Sequence, residues 1–471
     1  MSTHCTTTVP FHQQGRRRVE AAFDAGRVSS DAGVLLLREA AAAIGLFEQL
    51  AECFDDRRDQ SRIEHSVQDL VAQRILGLAC GYEDLNDHDT LRNDPVFAVA
   101  VGKDDPLGAE RARKQDRGTP LASSSSLNRL ELCTPDRAGR ADLKIRPNEA
   151  ALERLFVDLF LDSYDQAPES IILDVDATDV PLHGKQEGRY FHGYYDAYCY
   201  LPIYIMCGSQ LLAAKLETAD HDELKGALPE LKRLVKAIRK RWPKVRILVR
   251  GDSKYCRDAL MTWCEETEGL DFLVGIAKNA RLLRAISEEQ ATVREQAETA
   301  DEPVRVFKEL RYQTKKTWTR ERRVVSKVEH IPGKANPRFI VTSLPDDEYD
   351  ARTLYEDVYC ARGDMENRIK EQQMGLFADR ASGHTKGTNQ MRLWLSGYAY
   401  VLVETLRRTA LKGTKLAKAQ AWTLRNRLFK IGGLVRVSVR RIRLSLSSAF
   451  PLQDVFAQAV ENLRTCFPAV F

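Results

Sequence analysis

Two short apolar runs, each followed by aspartate, constrain the fold of this chain more than any other feature. Residues 170–173 read Ser-Ile-Ile-Leu and run into Asp174 and Asp176, and the run 245–249 leads to Asp252. Such runs are long enough for buried strands and too short for free-standing helices. Because a carboxylate at the end of a buried strand is costly without a partner, these acids predict a divalent metal, a basic partner or solvation at the sheet edge.

The segments around these runs predict a mixed α/β sheet. Residues 189–200 and 201–217 are rich in Tyr, Ile and Leu and suit two adjoining strands. Apolar residues on one face predict an amphipathic helix over 220–242. A helix over 255–268 and a strand over 272–276 follow. Three strands, a helix, a strand, a helix and a strand then make up one α/β unit.

Residues 287–345 interrupt this alternation and predict a β-rich insertion within the α/β unit. The insertion begins with a polar helix, and its strands lie around Trp318. The predicted strands cover residues 304–312, 322–331 and 338–343. Beyond the insertion the chain returns to helix, over 350–373 and again over 389–408.

The part of the chain before this unit predicts a mostly helical module. Residues 29–31, Ser-Ser-Asp, offer capping side chains ahead of an alanine-rich run. The helices predicted here cover residues 34–54, 62–80 and 127–132. Arg16, Arg17 and Arg18 belong either to a solvated tail or to an arm that contacts phosphates. A chain of 471 residues is long enough for two or more domains.

The C-terminal part has the sharpest charge pattern. Between Thr405 and Gln453 there are twelve Lys and Arg and no Asp or Glu. Arg440, Arg441 and Arg443 lie in an alternating run that predicts a strand, with a bulge where the alternation changes phase. Uncompensated positive charge of this density favours polyanion binding over an ordinary solvated surface.

Composition excludes several classes of protein. No apolar run reaches the length of a membrane span and no secretory signal opens the chain, so a cytoplasmic location is predicted. Ten cysteines are scattered singly without a C-x-x-C pair, which predicts free thiols in a reducing compartment and no zinc site.

Five polar residues near position 366 fall on one stripe if the chain there is a continuous helix. Spacings of 3, 4, 4 and 3 separate Tyr359, Arg362, Glu366, Lys370 and Gln373. At about 100° per residue these side chains share one face. The alternative is an ordinary exposed Glu–Lys pair on a helix, and Gly363 could also interrupt the stripe.

Together these motifs resemble the DDE transposases of bacterial insertion sequences, members of the ribonuclease H-like superfamily. Asp176-Ala177-Thr178 follows the first strand, and Asp252 follows the fourth. The third motif, Tyr-x-x-Arg-x-x-x-Glu, is formed by Tyr359, Arg362 and Glu366. The β insertion before the Glu also resembles this subgroup, and residues 362–371 are similar to the insertion-sequence group numbered thirteen-eighty.

The resemblance implies a two-metal site that cuts and joins DNA strands. Asp176, Asp252 and Glu366 would be catalytic and would hold two Mg²⁺ ions, for which Mn²⁺ would substitute. Asp174 remains an alternative to Asp176, because the two share one strand face. The family's Lys seven residues after the Glu is Gln373 here, so that DNA contact is either missing or made by Lys370.

The resemblance also implies contacts with double-stranded DNA. Tyr359, Arg362 and Lys370 would grip phosphates, and Trp318 would stack on a flipped base. The C-terminal arginines Arg440, Arg441 and Arg443 would assist the N-terminal module in reading inverted repeats, and the active complex would be a homodimer.

The resulting organisation is a ribonuclease H-like mixed sheet with a β insertion, a helical N-terminal module and a basic C-terminal part. The predicted divisions are a DNA-binding module over 1–150, a first core part over 151–286, the insertion over 287–345, a second core part with the Glu helix over 346–404, and a DNA-contacting part over 405–471.

Two rival functions remain at this stage. Asp252-Ser253-Lys254 is a D-x-K after a strand, as in PD-(D/E)xK endonucleases, but no Pro-Asp pair lies at a fitting distance upstream. A non-catalytic DNA-binding regulator derived from a transposase is the second rival, although all three acids are present.

Overall fold

The computed structural model describes residues 8–132, 144–220, 222–331 and 333–468. The chain divides into two units. The first consists of Met1–Asn148 together with Tyr398–Phe471, and the second is Glu149–Gly397. The N-terminal module and the basic C-terminal part, which the sequence treats as separate, therefore belong to one unit.

The secondary structure alternates between helices and strands along most of the chain. The strands are β1 (Val9–Gln14), β2 (Arg17–Ala21), β3 (Val28–Ser29), β4 (Phe54–Asp56), β5 (Ile145–Pro147), β6 (Ser170–Ala177), β7 (Val180–Pro181), β8 (Tyr190–His192), β9 (Ala197–Cys207), β10 (Gln210–Thr218), β11 (Arg246–Gly251), β12 (Leu270–Ile276), β13 (Val304–Tyr312), β14 (Arg322–Ile331), β15 (Lys334–Ala335), β16 (Arg338–Thr342), β17 (Gly433–Ser438) and β18 (Arg441–Leu446). The α-helices are α1 (Val34–Ala43), α2 (Leu46–Glu52), α3 (Val67–Cys80), α4 (Asp87–Leu91), α5 (Pro95–Val101), α6 (Ser124–Glu131), α7 (Glu149–Asp162), α8 (Glu223–Arg241), α9 (Asp258–Glu265), α10 (Ala280–Ala285), α11 (Ser287–Ala300), α12 (Ala351–Thr353), α13 (Gly363–Lys370), α14 (Lys386–Arg408), α15 (Ala421–Leu424) and α16 (Gln453–Cys466). Short 3₁₀ segments are Lys114–Asp116, Ser253–Tyr255 and Cys360–Arg362, and π segments are Leu354–Tyr359, Glu371–Gly375 and Arg425–Phe429.

One large mixed sheet organises the second unit and confirms the predicted α/β class. Its main strand order is β10-β9-β6-β11-β12-β16-β14-β13. The three central strands β6, β11 and β12 are parallel, whereas the other neighbours in this order are antiparallel. The carboxyl ends of β6 and β11 therefore meet at the same edge of the sheet.

Strand β6 separates apolar and acidic side chains onto opposite faces. Leu173, Val175 and Ala177 lie in one buried cluster with the apolar stripe of α8. Because side chains alternate along a strand, Asp174 and Asp176 are directed to the other face. The strand extends to Ala177, so these two acids lie within it and not beyond its end as the sequence suggested.

The β insertion is continuous with the main sheet. Strand β16 pairs with β12, and β14 and β13 follow outward. Two of the predicted strands, β13 and β14, have the expected bounds. The predicted boundary between residues 200 and 201 is wrong, because β9 runs on to Cys207 and turns into β10 at Gln210.

In the first unit, segments from both ends of the sequence pair with each other. Strands β18, β17 and β3 form one sheet. Beside it the buried Asp31 carboxylate forms a salt bridge with Lys430 Nζ at 2.5 Å and accepts a hydrogen bond from Tyr82 Oη at 2.9 Å. The single bulged strand predicted for 435–446 is wrong, because β17 and β18 form a hairpin with Val439 and Arg440 at its tip. No helix among the described residues is long and apolar enough to cross a bilayer.

We expect this protein to lose stability as the pH falls from about 6.5 towards 3, because two buried histidines of the first unit are neutral. Burial lowers the pKa of both His65 and His88 to about 3, and neighbouring cations assist. The unfolded chain then binds protons that the folded chain does not. At pH 5, roughly 1.5 pH units below the pKa of histidine in the unfolded chain, each histidine should lower the free energy of unfolding by about 2 kcal/mol.

Urea unfolding at several pH values measures this dependence. His88→Gln should reduce the loss of unfolding free energy on the acid limb of the curve against pH. His12→Gln, at an exposed position, should leave that limb unchanged. An unaltered acid limb in the His88 variant would contradict the assignment.

Candidate active site

Two acids meet at the edge of the main sheet because β6 and β11 are parallel neighbours. Arg250 lies opposite Asp174, and Gly251 opposite Val175. Asp252 follows β11 directly, at the level of Asp176. Since neighbouring strands are about 4.8 Å apart, the two aspartates start from adjacent backbone positions on one face. The sequence prediction that both acids lie at one sheet edge is consistent with this register.

Arg362 links the first of these acids to the glutamate. Its Nη1 donates to Asp176 Oδ2 at 2.8 Å, and its Nη2 is 2.6 Å from Glu366 Oε1. The Asp176 side chain is 14% exposed and that of Glu366 is 55% exposed. The guanidinium therefore lies between a buried carboxylate on the sheet and an open one on α13.

The three acids interact electrostatically. Burial, assisted by the charges of Asp252 and Glu366 and opposed by Arg362, raises the pKa of Asp176 to about 6. Burial alone would lower the pKa of Arg362, yet Asp176 and Glu366 outweigh it and the pKa is raised. Three interacting carboxylates with a single guanidinium favour an additional cation.

The carboxylates do not form a ready-made metal cage. Within the described ranges, no three His, Cys, Asp or Glu side chains are grouped closely enough to hold a metal ion. The donor set is nevertheless entirely carboxylate oxygen, which is the ligand type that Mg²⁺ prefers. The acids thus fit a hard divalent cation in chemistry, with Arg362 providing the countercharge in this structure.

The helical segment that carries Glu366 changes its winding four times. A π segment ends at Tyr359, a 3₁₀ turn covers residues 360–362, α13 begins at Gly363, and a second π segment begins at Glu371. Gly363 does not break the segment. Such π segments are rare and concentrate at functional sites. The predicted continuous stripe therefore holds from Arg362 to Glu366 as an i,i+4 ion pair.

Tyr359 reaches the backbone beside Asp252. A Cβ at Gly275 would lie 2.6 Å from Tyr359 Oη, so only glycine leaves room for this phenol. A cleft of about 350 Å³ opens here and is lined by Asp252, Tyr359, Lys278 and Arg338 among others. Burial raises the pKa of Tyr359, which keeps the phenol protonated and able to donate a hydrogen bond.

A buried ion pair that sequence reasoning did not predict joins Arg250 to Asp174, each two residues before one of the two aspartates. Arg250 Nε and Nη2 donate to the two oxygens of Asp174 at 2.5 and 2.7 Å, and Arg250 Nη1 donates to the carbonyl of Val358. Asp174, the alternative first acid, is 3% exposed and has both oxygens engaged. This pairing favours Asp176 over Asp174 as the acid that faces a substrate.

The two remaining polar residues of the stripe have different environments. Gln373 Nε2 donates to Asp179 O at 3.0 Å and lies 3.4 Å from Thr178 Oγ1, in the loop after Asp176. Gln373 therefore connects the glutamate helix to the first acid's loop. Lys370 is exposed and has no ion-pair partner among the residues that the structure describes.

Trp318 is not available to stack on a base in this structure. It is 7% exposed, with its ring edge-on to Tyr312 at 5.6 Å and Arg322 over its face at 5.4 Å. The predicted stacking role is therefore not supported. Arg440, Arg441 and Arg443 are exposed, but they belong to the unit formed by the chain ends, whereas the acids lie wholly within the other unit.

Exposed aromatic residues near β8 were also missed by sequence reasoning. Tyr194 is 80% exposed, Phe191 is 52% exposed, and Lys254 lies over the Tyr194 ring at 5.7 Å. Lys254 donates to Glu223 at 2.8 Å, and although burial opposes it, this contact raises the pKa of Lys254 to about 12. Lys254, the lysine of the D-x-K motif, is thus ion-paired with Glu223.

Comparison with known families decides the identity. The sequence model of the family described as "Transposase DDE domain group 1" matches residues 11–467. The chain belongs to this DDE transposase family. No curated protein matches it. Enzymes of this family carry out transposition, which is a form of DNA recombination. They are nucleotidyl transferases that generally use divalent metals such as Mg²⁺.

Proposed function

We propose that this transposase binds the terminal inverted repeats of a bacterial insertion sequence and catalyses cut-and-paste transposition. The observation that carries the proposal is that Arg362 pairs with both Asp176 and Glu366, with Asp252 on the neighbouring strand at the level of Asp176, in a chain of the DDE family. The motif at 362–371 supports the group numbered thirteen-eighty as the relevant kind of insertion sequence.

The strand order supports a ribonuclease H-like core. The first three long strands of the unit, β6, β9 and β10, are antiparallel neighbours, and β11 and β12 are added in parallel on the other side of β6. Numbered along the chain, this is the order 3-2-1-4-5. The first strand is central, and its acid lies beside the acid that follows the fourth strand.

We assign the metal-holding role to three residues. Asp176 would hold both Mg²⁺ or Mn²⁺ ions, and Asp252 and Glu366 would each hold one. When bound, such ions activate the attacking oxygen and stabilise the leaving 3′ oxygen.

The surrounding side chains would position the DNA. Tyr359, as a protonated phenol, would donate a hydrogen bond to the DNA, and Lys278 and Arg338 supply positive charge at the cleft beside Asp252. Lys370 adds a further positive charge on the helix that carries Glu366. Arg362, paired with two acids here, would exchange one carboxylate for a phosphate oxygen when a cation neutralises those acids.

Double-stranded DNA is the proposed partner, at both the element's ends and the target. The unit formed by the chain ends would read the ends, with the exposed arginines of the β17–β18 hairpin contributing. Arg436 and Arg443 lie directly opposite each other on that hairpin. Because these like charges repel each other, a bound polyanion would reduce the repulsion. A homodimer would join two ends, and the enzyme would act in the bacterial cytoplasm at the nucleoid.

Strand-cleavage and strand-transfer assays on a duplex carrying the DNA that flanks the gene test this proposal. We expect Mg²⁺-dependent 3′-hydroxyl ends at the repeat and their covalent joining to a target plasmid, with no products in EDTA. Random nicks without joining would identify an endonuclease, and a gel shift without products would identify a regulator. Either result would overturn the proposal.

A further inference from the structure

A large arginine-lined cleft lies within the first unit, formed entirely by residues between 58 and 145. Its volume is about 780 Å³. This is within the range of binding sites for ligands larger than a single ion. The arginines that line it are Arg58, Arg62, Arg92, Arg111, Arg113 and Arg129, against two acids, Glu64 and Asp116.

Four of these arginines are neutralised by acids and shape the cleft. Arg58 binds Asp56 through two nitrogens, both at 2.7 Å, and Arg62 lies 3.3 Å from Asp59. Arg92 and Arg111 pair in the same way with the two lining acids, Asp116 and Glu64. These pairs fix the positions of the cleft walls but leave little free charge.

Arg113 and Arg129 carry the free charge of the cleft. Both are exposed, and neither side chain has an ion pair or hydrogen bond to another residue that the structure describes. Arg113 follows Arg111 on one wall, and Arg129 is on α6. An arginine without an acid presents a planar fork of donors that matches the oxygens of a phosphate.

The cleft also contains a buried donor that lacks an acceptor. His65 is 8% exposed, and its Nε2 lies 3.2 Å from Arg111 Nη1. Since a guanidinium only donates, Nε2 accepts and the proton is on Nδ1. Nδ1 is buried and has no partner among the described residues. A buried N–H of this kind is costly unless an acceptor is provided.

Serine hydroxyls at the start of α6 add further donors. Ser123 Oγ lies 3.0 Å from Ser125 Oγ and 3.5 Å from Ser126 Oγ, and all three residues line the cleft. The hydroxyls contact one another, so they keep capacity to bond a ligand oxygen. Free guanidinium groups, hydroxyls and an unsatisfied buried N–H together favour an anion with several oxygens.

We propose that this arginine-lined cleft binds phosphate groups of the DNA backbone, with Arg113 and Arg129 as the direct contacts. The inference rests on the proposed function, because a transposase must hold DNA away from the point of cleavage as well as at it. A cleft of this size with two separate free arginines suits successive phosphates of one strand better than a single small anion.

The test measures DNA binding separately from cleavage. The Glu366→Gln protein and the same protein with Arg113→Gln and Arg129→Gln are titrated against a fluorescent duplex of arbitrary sequence over a range of salt concentrations. Loss of two phosphate contacts should weaken binding at least about tenfold and reduce the salt slope by about 2. The matched control carries Arg38→Gln and Arg294→Gln, at exposed positions elsewhere, and removes the same charge.

The outcomes separate this inference from the proposed function. Equal binding by the cleft variant and the control would overturn the inference while the proposed function stands. If none of the proteins binds DNA, both fail. If inorganic phosphate stabilises the parent and not the cleft variant, while DNA binding is equal in both, the cleft is a small-anion site and the inference fails.

Discussion

Asp176→Asn, Asp252→Asn and Glu366→Gln are each expected to reduce strand cleavage by at least about a thousandfold while leaving DNA affinity within about threefold. A metal ligand supplies several kcal/mol of transition-state stabilisation, and about 1.4 kcal/mol corresponds to a factor of ten. The substitutions keep the shape of each side chain and remove only its charge. Cleavage of a labelled duplex in Mg²⁺ and fluorescence anisotropy measure the two effects.

Asp364→Asn is the matched control, because Asp364 is an exposed acid on the same helix, two residues before Glu366. It should cleave at nearly the parental rate. Cleavage at the parental rate by any of the three substituted proteins would remove that residue from the active site. If Asp176→Asn alone remained active, a role for Asp174 would have to be reconsidered despite its pairing with Arg250.

The strands that carry the two aspartates could be predicted because their signal is local, whereas the role of the acids stays a prediction. An apolar run indicates a strand without knowledge of its neighbours, although β6 continues through both acids to Ala177, and β13 and β14 were likewise predicted from their own composition. The choice between Asp174 and Asp176 could not be made in this way. It depends on Arg250, a residue 76 positions away that register brings opposite Asp174.

The failures have the same long-range origin. The tip of the β17–β18 hairpin contains neither Gly, Pro, Asn nor Asp. The only sign of the turn in the sequence is therefore a change of phase in the alternation of apolar and polar residues. Trp318 is buried because Tyr312 and Arg322 come together only when β13 pairs with β14. The π segments around α13 were not predicted from the sequence either.

Removing one partner of the Asp174–Arg250 pair is expected to destabilise the second unit strongly. Both side chains are nearly inaccessible, at 4% and 7% exposed. Arg250→Met would leave the Asp174 carboxylate buried without a cation, at a cost of about 3–5 kcal/mol in the free energy of unfolding. Urea unfolding of the full chain measures this loss.

The double substitution Asp174→Leu with Arg250→Met separates folding from function. Replacing a buried ion pair by apolar residues of similar size is often neutral, so most of the stability should return. The Val358 carbonyl would still lack its donor, and the segment carrying Tyr359 and Arg362 would lose its connection to β11. We expect cleavage about 10–100-fold below the parent and a higher Mg²⁺ requirement, as for other residues that orient metal ligands.

A second buried arginine provides the control for this interpretation. Arg323 pairs with Glu309 and donates to the carbonyls of Leu344, Pro345 and Tyr349, so it also connects a strand to a following segment. Glu309→Leu with Arg323→Met should leave the Mg²⁺ requirement unchanged, because these residues do not contact the acids. If both double variants raised the Mg²⁺ requirement equally, the effect would be general loosening of the unit, and Arg250 would have no particular role in positioning Arg362 and Glu366. A rise confined to the Arg250 variant would mean that the ion pair two residues before Asp176 and Asp252 in the chain sets the distance between the sheet and the glutamate helix.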